Sequence, residues 1–135
     1  HNPHSMRRLM QAVRKYFEFR RVILIFGALS GHSARGMMAE VTDLSPTVAA
    51  VRSRHPRSAP SDIIGSVAHE QGLPVAFKTE DVGEAVQWVL SVAGKEDLVL
   101  GTGSLSVVAE IIEEMDGIRP ELYPYIKRPT YTSDV

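Results

Sequence analysis

The sequence predicts an α/β domain, a Rossmann-like, mainly parallel sheet with helices on both faces. Three observations carry that prediction. Stretches with helical apolar spacing alternate with short apolar runs of strand length. One of those runs, Val22-Ile23-Leu24-Ile25-Phe26, is continuously apolar, as expected of a strand covered on both faces. The connections are too long for hairpins, so successive strands run parallel with helices crossing between them.

The elements follow in order. His4–Glu18 reads as a helix, with Met6, Leu9, Met10, Val13 and Phe17 at helical spacing. Arg21–Gly27 is the first strand. Ser33–Val41 reads as a short helix capped by Ser33, although Gly36 costs about 1 kcal/mol inside a helix. Thr47–Val51 is the second strand, followed by the polar loop Arg52–Pro60. Ser61–Gln71 is a helix with Gly72 as its stop. Pro74–Phe77 is a short strand whose proline points to a strand start or a sheet edge. Asp81–Ala93 is an amphipathic helix with Val82, Ala85, Val86, Val89 and Leu90 on one side, ended by Gly94. Asp97–Leu100 is the fourth strand. Ser104–Met115 is the last helix, with Leu105, Val108, Ile111 and Ile112 apolar. Val107 stands where a capping box needs an acid or amide, so only the Ser104 cap is expected. Gly117–Val135 has no period; it holds Pro120, Pro124, Pro129 and three of the four tyrosines, and reads as a docked or disordered extension.

The chain's 135 residues suit one domain with a sizeable core. With 44% hydrophobic and 23% charged residues, the composition is that of a soluble globular protein. No apolar run is long enough to span a bilayer, and no basic-then-apolar leader is present, so no membrane partner is expected. The absence of cysteine excludes disulfides and thiolate chemistry and fits a cytoplasmic location. Residues 1–60 carry ten Lys/Arg against three Asp/Glu, and residues 61–135 carry five against thirteen. Either the halves complement each other across one globule, or the basic half faces an anion such as a phosphate or polycarboxylate. The basic residues are not interleaved with aromatics, so nucleic acid is not expected.

Gly27-Ala28-Leu29-Ser30-Gly31-His32-Ser33 sits where a phosphate loop would, between strand and helix. It is one residue short between glycines, and His32 replaces the lysine that opposes β/γ-phosphates. It therefore reads as an ordinary turn at the sheet's carboxyl edge, where ligands gather. Gly101-Thr102-Gly103-Ser104-Leu105-Ser106 resembles a dinucleotide fingerprint with serine as the last glycine, but no βαβ unit with a ribose-binding acid follows. Its two glycines would let the backbone approach a ligand, and a helix N-terminus with the Ser104 hydroxyl favours a carboxylate or phosphate. The alternative is a tight turn capped by Ser104.

His1, His4, His32, His55 and His69 are too scattered to form a metal site, so no metal ligand is expected in this chain. Arg52, Arg54, His55 and Arg57 form either an anion site or a solvated loop. Asp43, Asp62 and Asp81 have no motif relation to a Ser–His pair, so no nucleophile–base–orienter set is expected.

Four segments occur in the order found in one family. They are His1-Asn2-Pro3, the strand Arg21–Gly27, Pro56-Arg57-Ser58, and Thr102-Gly103-Ser104-Leu105. Over residues 1–115 the chain resembles the C-terminal domain of folylpolyglutamate synthase/dihydrofolate synthase, within the Mur ligase superfamily. The resemblance divides the chain into a Mur ligase-type C-terminal domain, 1–116, and an extension, 117–135. It implies an ATP- and magnesium-dependent ligase that phosphorylates a folate carboxylate and lets the amine of L-glutamate displace the phosphate. It places His1 in an interdomain cleft as a catalytic and nucleotide-contacting residue, has Asn2 support that turn beside the nucleotide, and gives Ser104 the glutamate carboxylate. It puts the phosphate loop and magnesium ligands in an N-terminal ATPase domain that this sequence lacks. His1-Asn2-Pro3 looks like the second half of the family's Asp-Gly-Ala-His-Asn-Pro motif. Ser30-Gly31-His32-Ser33 departs from the family's Asp-Lys-Asp-type loop. By itself, then, the chain is not expected to catalyse ligation. Two alternatives stand beside this reading: a domain of a peptidoglycan-precursor ligase, and a stand-alone, non-catalytic Rossmann-like binding module.

Overall fold

The computed structural model describes residues 1–124. In chain order the elements are α1 (Pro3–Tyr16), β1 (Arg21–Phe26), α2 (Ala34–Ala39), β2 (Thr47–Val51), α3 (Ser61–Glu70), β3 (Val75–Thr79), α4 (Val82–Val92), β4 (Asp97–Thr102) and α5 (Leu105–Asp116). A short 3-10 turn, Thr42–Leu44, follows α2. The four strands form one sheet in the order β3-β2-β1-β4, and every pairing is parallel. The α/β architecture is the one expected from the sequence.

Strand alternation builds the two layers. Leu24, Phe26, Val48 and Ala50 point to one face, where α1, α2 and α3 supply Met6, Met10, Met37, Met38, Ile64 and Val67. Ile23, Ile25, Ala49 and Val51 point to the other, against Val82, Val86 and Val89 of α4 and Val107 of α5. β1 is central, and Val22–Phe26 are buried. From β1 the chain runs outward through β2 to β3, then returns to place β4 on the other side of β1. That reversal opens a crevice between the carboxyl ends of β1 and β4, where open α/β sheets bind ligands.

Several elements differ from the sequence reading. α1 ends at Tyr16 because Phe17 turns extended; Phe17 is exposed, and Phe19 packs on the core instead. β3 begins after its proline and is an edge strand, as that proline suggested. Leu90, Leu105 and Ile112 are exposed rather than core residues. α5 lies over the margin of a four-stranded sheet and buries Val107 and Glu110, with Ile111 packed beside them.

The glycines after β4 also serve a different purpose from the one their pattern suggested. A Cβ on Gly103, whose φ is +108°, would strike the Gly27 carbonyl oxygen and lie 2.9 Å from the Phe26 ring. A Cβ on Gly101 would strike the Ile111 side chain. Both admit the protein's own packing rather than a ligand. Gly36 does the same for α1, since its Cβ would stand 2.8 Å from Pro3 Cγ. That close approach brings the start of the chain to the crevice.

Ion pairs join the basic and acidic halves: Arg21–Asp97, Arg35–Glu70, Arg52–Glu80 and Arg54 with Glu110 and Glu113. Gly117, with φ +63°, ends α5, and residues 118–124 turn back along it without regular structure. The rest of the proposed extension, with Tyr125, Pro129 and Tyr131, lies outside the described residues. Among the described residues no helix is long and apolar enough to cross a membrane.

Candidate functional site

A cleft of about 430 Å³ opens at the carboxyl edge of the sheet. The loop after β1 contributes Leu29 and His32, the loop after β2 contributes His55 and Arg57, and the start of α5 contributes Ser104, Leu105, Ser106 and Ala109. His1 and Tyr123 complete its rim. The two loops are stitched together by backbone bonds. Ser30 N donates to Arg57 O at 2.8 Å, and Ala59 N donates to Ala28 O at 2.9 Å.

The arginine-rich loop divides its charges. Arg52 donates to Glu80 at 3.0 Å. Arg54 is held by the carboxylates of Glu110 and Glu113, and its own N–H donates to Glu110 Oε1 at 2.7 Å. Burial pushes the Glu110 carboxyl upward while Arg54 opposes that shift. Arg57 is exposed at the cleft and has no ion pair among the described residues. Its backbone N–H donates to His55 Nδ1 at 3.1 Å, so neutral His55 carries its proton on Nε2. Burial first, then the charge of Arg57, lowers the pKa of His55 and favours that neutral form.

At the start of α5, Ser104 Oγ accepts from Val107 N at 3.2 Å, the expected cap. A chain of hydroxyls runs inward from it. Ser53 Oγ donates to Ser58 Oγ at 3.0 Å, which uses its one proton. Ser106 must then donate to Ser53 across 2.8 Å, and Ser104 to Ser106 across 2.9 Å. The Ser104 proton is therefore committed within the chain of serines. At that helix start the backbone N–H groups of Leu105 and Ser106, both residues that line the cleft, have no acceptor in their own helix, whereas that of Val107 is taken by Ser104.

His1 and Ser104 both line this cleft. The Nδ1 of His32 donates to the His1 carbonyl oxygen at 2.8 Å, and the two rings meet edge to face at 5.4 Å. Asn2 does not line the cleft. Its Oδ1 accepts from Ser5 N at 2.9 Å and caps α1, with Pro3 as the first helical residue. Asp43 pairs with Arg14, Asp62 pairs with Lys78, and Asp81 caps α4. No group of three metal-ligating side chains occurs among the described residues. Tyr123 and Ser106 were missed by sequence reasoning. Tyr123 lies in a segment without period, and Ser106 was visible only as part of the glycine-serine run.

Residues 1–105 match the family described as "Mur ligase, glutamate ligase domain". A UDP-N-acetylmuramoyl-L-alanyl-D-glutamate–2,6-diaminopimelate ligase of Caldanaerobacter subterraneus subsp. tengcongensis is 33% identical over 119 residues, covering 83% of this chain and 24% of the relative. A probable bifunctional folylpolyglutamate synthase/dihydropteroate synthase of Halobacterium salinarum is 30% identical over 110 residues, covering 82% of this chain and 13% of the relative. In fold, the chain is similar to E. coli FolC in complex with DHPP and ADP, with a TM-score of 0.75 at 24% identity over 87% of this chain and 27% of that one. The family match begins at His1, takes in both loops that wall the cleft and ends where α5 begins; the chain belongs to the Mur ligase family, as its glutamate ligase domain.

Proposed function

We propose that this domain presents the glutamate-binding wall of an ATP-dependent ligase that joins L-glutamate to a folate. One observation carries the reading: Leu105 and Ser106 at the start of α5 and Arg57, which has no ion pair among the described residues, line a single cleft at the topological switch point of the sheet. Such a donor set suits carboxylate or phosphate oxygens. Arg57 and the start of α5 hold the glutamate carboxylate. Ser104 acts by fixing that helix start, because its proton is committed to Ser106. His1 faces the nucleotide phosphates from the rim, and Asn2 supports it by capping α1.

ATP supplies the phosphoryl group that activates the acceptor carboxylate. By the family resemblance, the magnesium ligands and the phosphate loop would be supplied by an N-terminal ATPase domain of the parent enzyme. The chain's coverage of only 24% and 13% of its two relatives supports a multidomain parent.

The test is an ATP-dependent ligation assay on the full-length protein with L-glutamate and either dihydropteroate or a reduced folate. Turnover is expected with at least one acceptor and falls sharply in the His1→Ala and Ser104→Ala variants. The 33% identity to the diaminopimelate ligase favours a second reading, a peptidoglycan-precursor ligase. Turnover with a UDP-muramoyl peptide and none with either folate acceptor establishes that reading instead.

A further inference from the structure

We propose that the outward face of α5 and the β4 edge of the sheet form a docking surface for the chain's own residues 125–131. The surface lies outside the cleft and does not depend on what the cleft binds.

The two edges of the sheet are finished differently. β3 follows Pro74 and carries Lys78, both of which discourage a further strand. β4 carries neither, and Val99 at its middle is exposed. Beside it, Leu90 of α4 and Ile111 and Met115 of α5 line an apolar groove of about 260 Å³ with Val99. Leu105, Ala109, Ile112 and Met115 extend that surface along the outer side of α5 at helical spacing, and all four are exposed. A contiguous apolar face of this kind is an interaction surface rather than scattered surface leucines.

Charge and reach select the occupant. The last two turns of α5 hold Glu110, Glu113, Glu114 and Asp116 and no basic residue, at the end where the helix dipole is already negative. Arg54 answers Glu110 and Glu113, whereas Glu114 and Asp116 have no ion pair among the described residues. A second copy of the chain packed on this face brings a second set of the same acids. Residues 125–131 instead bring Lys127 and Arg128, set between the apolar Tyr125, Ile126 and Tyr131. The chain is in a turn at Pro124, one residue after Tyr123, which shares the cleft with Leu105 and Ala109. From Ala109 to Asp116 the helix rises about 10 Å. The three residues from Pro124 to Lys127 span about 10 Å when extended. That reach matches Ile126 to Ile112 and the two cations to the acidic helix end, and leaves Tyr131 for the groove.

The chain has no cysteine, so Thr130→Cys gives a single site for a nitroxide spin label. Methyl NMR spectra of the full chain are compared with the label oxidised and reduced. The methyls of Leu90, Val99 and Met115 are expected to lose most of their intensity, and more than those of Leu105. Ile126→Ser, and separately Lys127→Glu with Arg128→Glu, are expected to restore the Leu90 and Met115 signals. A loss that is greatest at Leu105 and fades toward Met115 describes a tail merely tethered at Pro124 and overturns the proposal. So does a Leu90 and Met115 loss that both variants leave unchanged. The same loss in an unlabelled chain mixed with labelled chain assigns the surface to a second copy and also overturns it.

Discussion

The two ends of the β1–β4 pair treat charge in opposite ways. At the amino end the pair opens on Arg21 opposite Asp97. The Asp97 side chain is enclosed and accepts from Arg21 at 2.6 Å and from Gly94 N at 2.8 Å, with Arg20 at 3.9 Å. Chiefly through the Arg21 bond, its pKa falls to about 2. At the carboxyl end the same strands lead into the cleft, where Arg57 has no ion pair among the described residues and Leu105 and Ser106 open α5. A charge answered by its own fold contributes to stability, and a charge left open there is available to a ligand. The comparison therefore separates structure from function within one strand pair.

The largest effect is expected where the carboxyl end is closest packed. Gly103→Val puts a branched side chain at φ +108° against Gly27 O and the Phe26 ring. It should cost about 3 kcal/mol or more in urea unfolding, and an unchanged midpoint would show that β1 and β4 do not converge there. Asp97→Asn breaks the opposite end. The acid's pKa drops from 3.8 unfolded to about 2 folded, so its stabilisation is full above about pH 4 and is lost as pH falls toward 2. The variant should melt below the parent at pH 7, and the gap between the two melting curves should narrow across that acid window. Ser104→Ala follows, at about 1 kcal/mol for the lost cap. A larger loss, shared by Ser106→Ala, would show that the hydroxyl chain to Ser53 and Ser58 holds the β2 loop as well.

The amino end and the sheet were more legible in the sequence than the cleft. β1 and β2 were readable because Val22–Phe26 and Val48–Val51 are buried by their own composition, with no remote partner needed to define them. The buried side of α5 was not set by its apolar residues. Leu105, Val108, Ile111 and Ile112 form a plausible helical stripe, yet at the margin of a four-stranded sheet only part of it finds cover, and the Arg54 pair draws Glu110 inward. The glycines of Gly101-Thr102-Gly103 marked close approach, but sequence does not say to what. His1 came from a family resemblance, Ser104 from that resemblance and from its place at a helix start, and both lie in one cleft; Asn2, from the same motif as His1, turns its side chain to the helix end. Arg54 and Arg57 look alike in a basic loop. What separates them is Glu110 and Glu113, more than fifty residues away in the chain.

That last pair gives the smallest expected change in stability and the most direct test of the comparison. Arg57→Gln removes an exposed charge that holds no acid among the described residues, so unfolding should shift by less than about 0.5 kcal/mol. Arg54→Gln removes the cation that faces buried Glu110, which has no other ion pair among the described residues. An uncompensated carboxylate at that depth is costly, so Arg54→Gln should destabilise by several-fold more than Arg57→Gln. Titration with L-glutamate should reverse the ranking. Arg57→Gln loses the charge-assisted contact and should weaken binding about tenfold or more, whereas Arg54→Gln, where it remains folded, should weaken it less. Equal losses of binding in the two variants would mean that the basic loop acts as a diffuse positive field. The opposite ranking on the two measurements would mean that one arginine builds the site and the other, three residues on, meets the ligand.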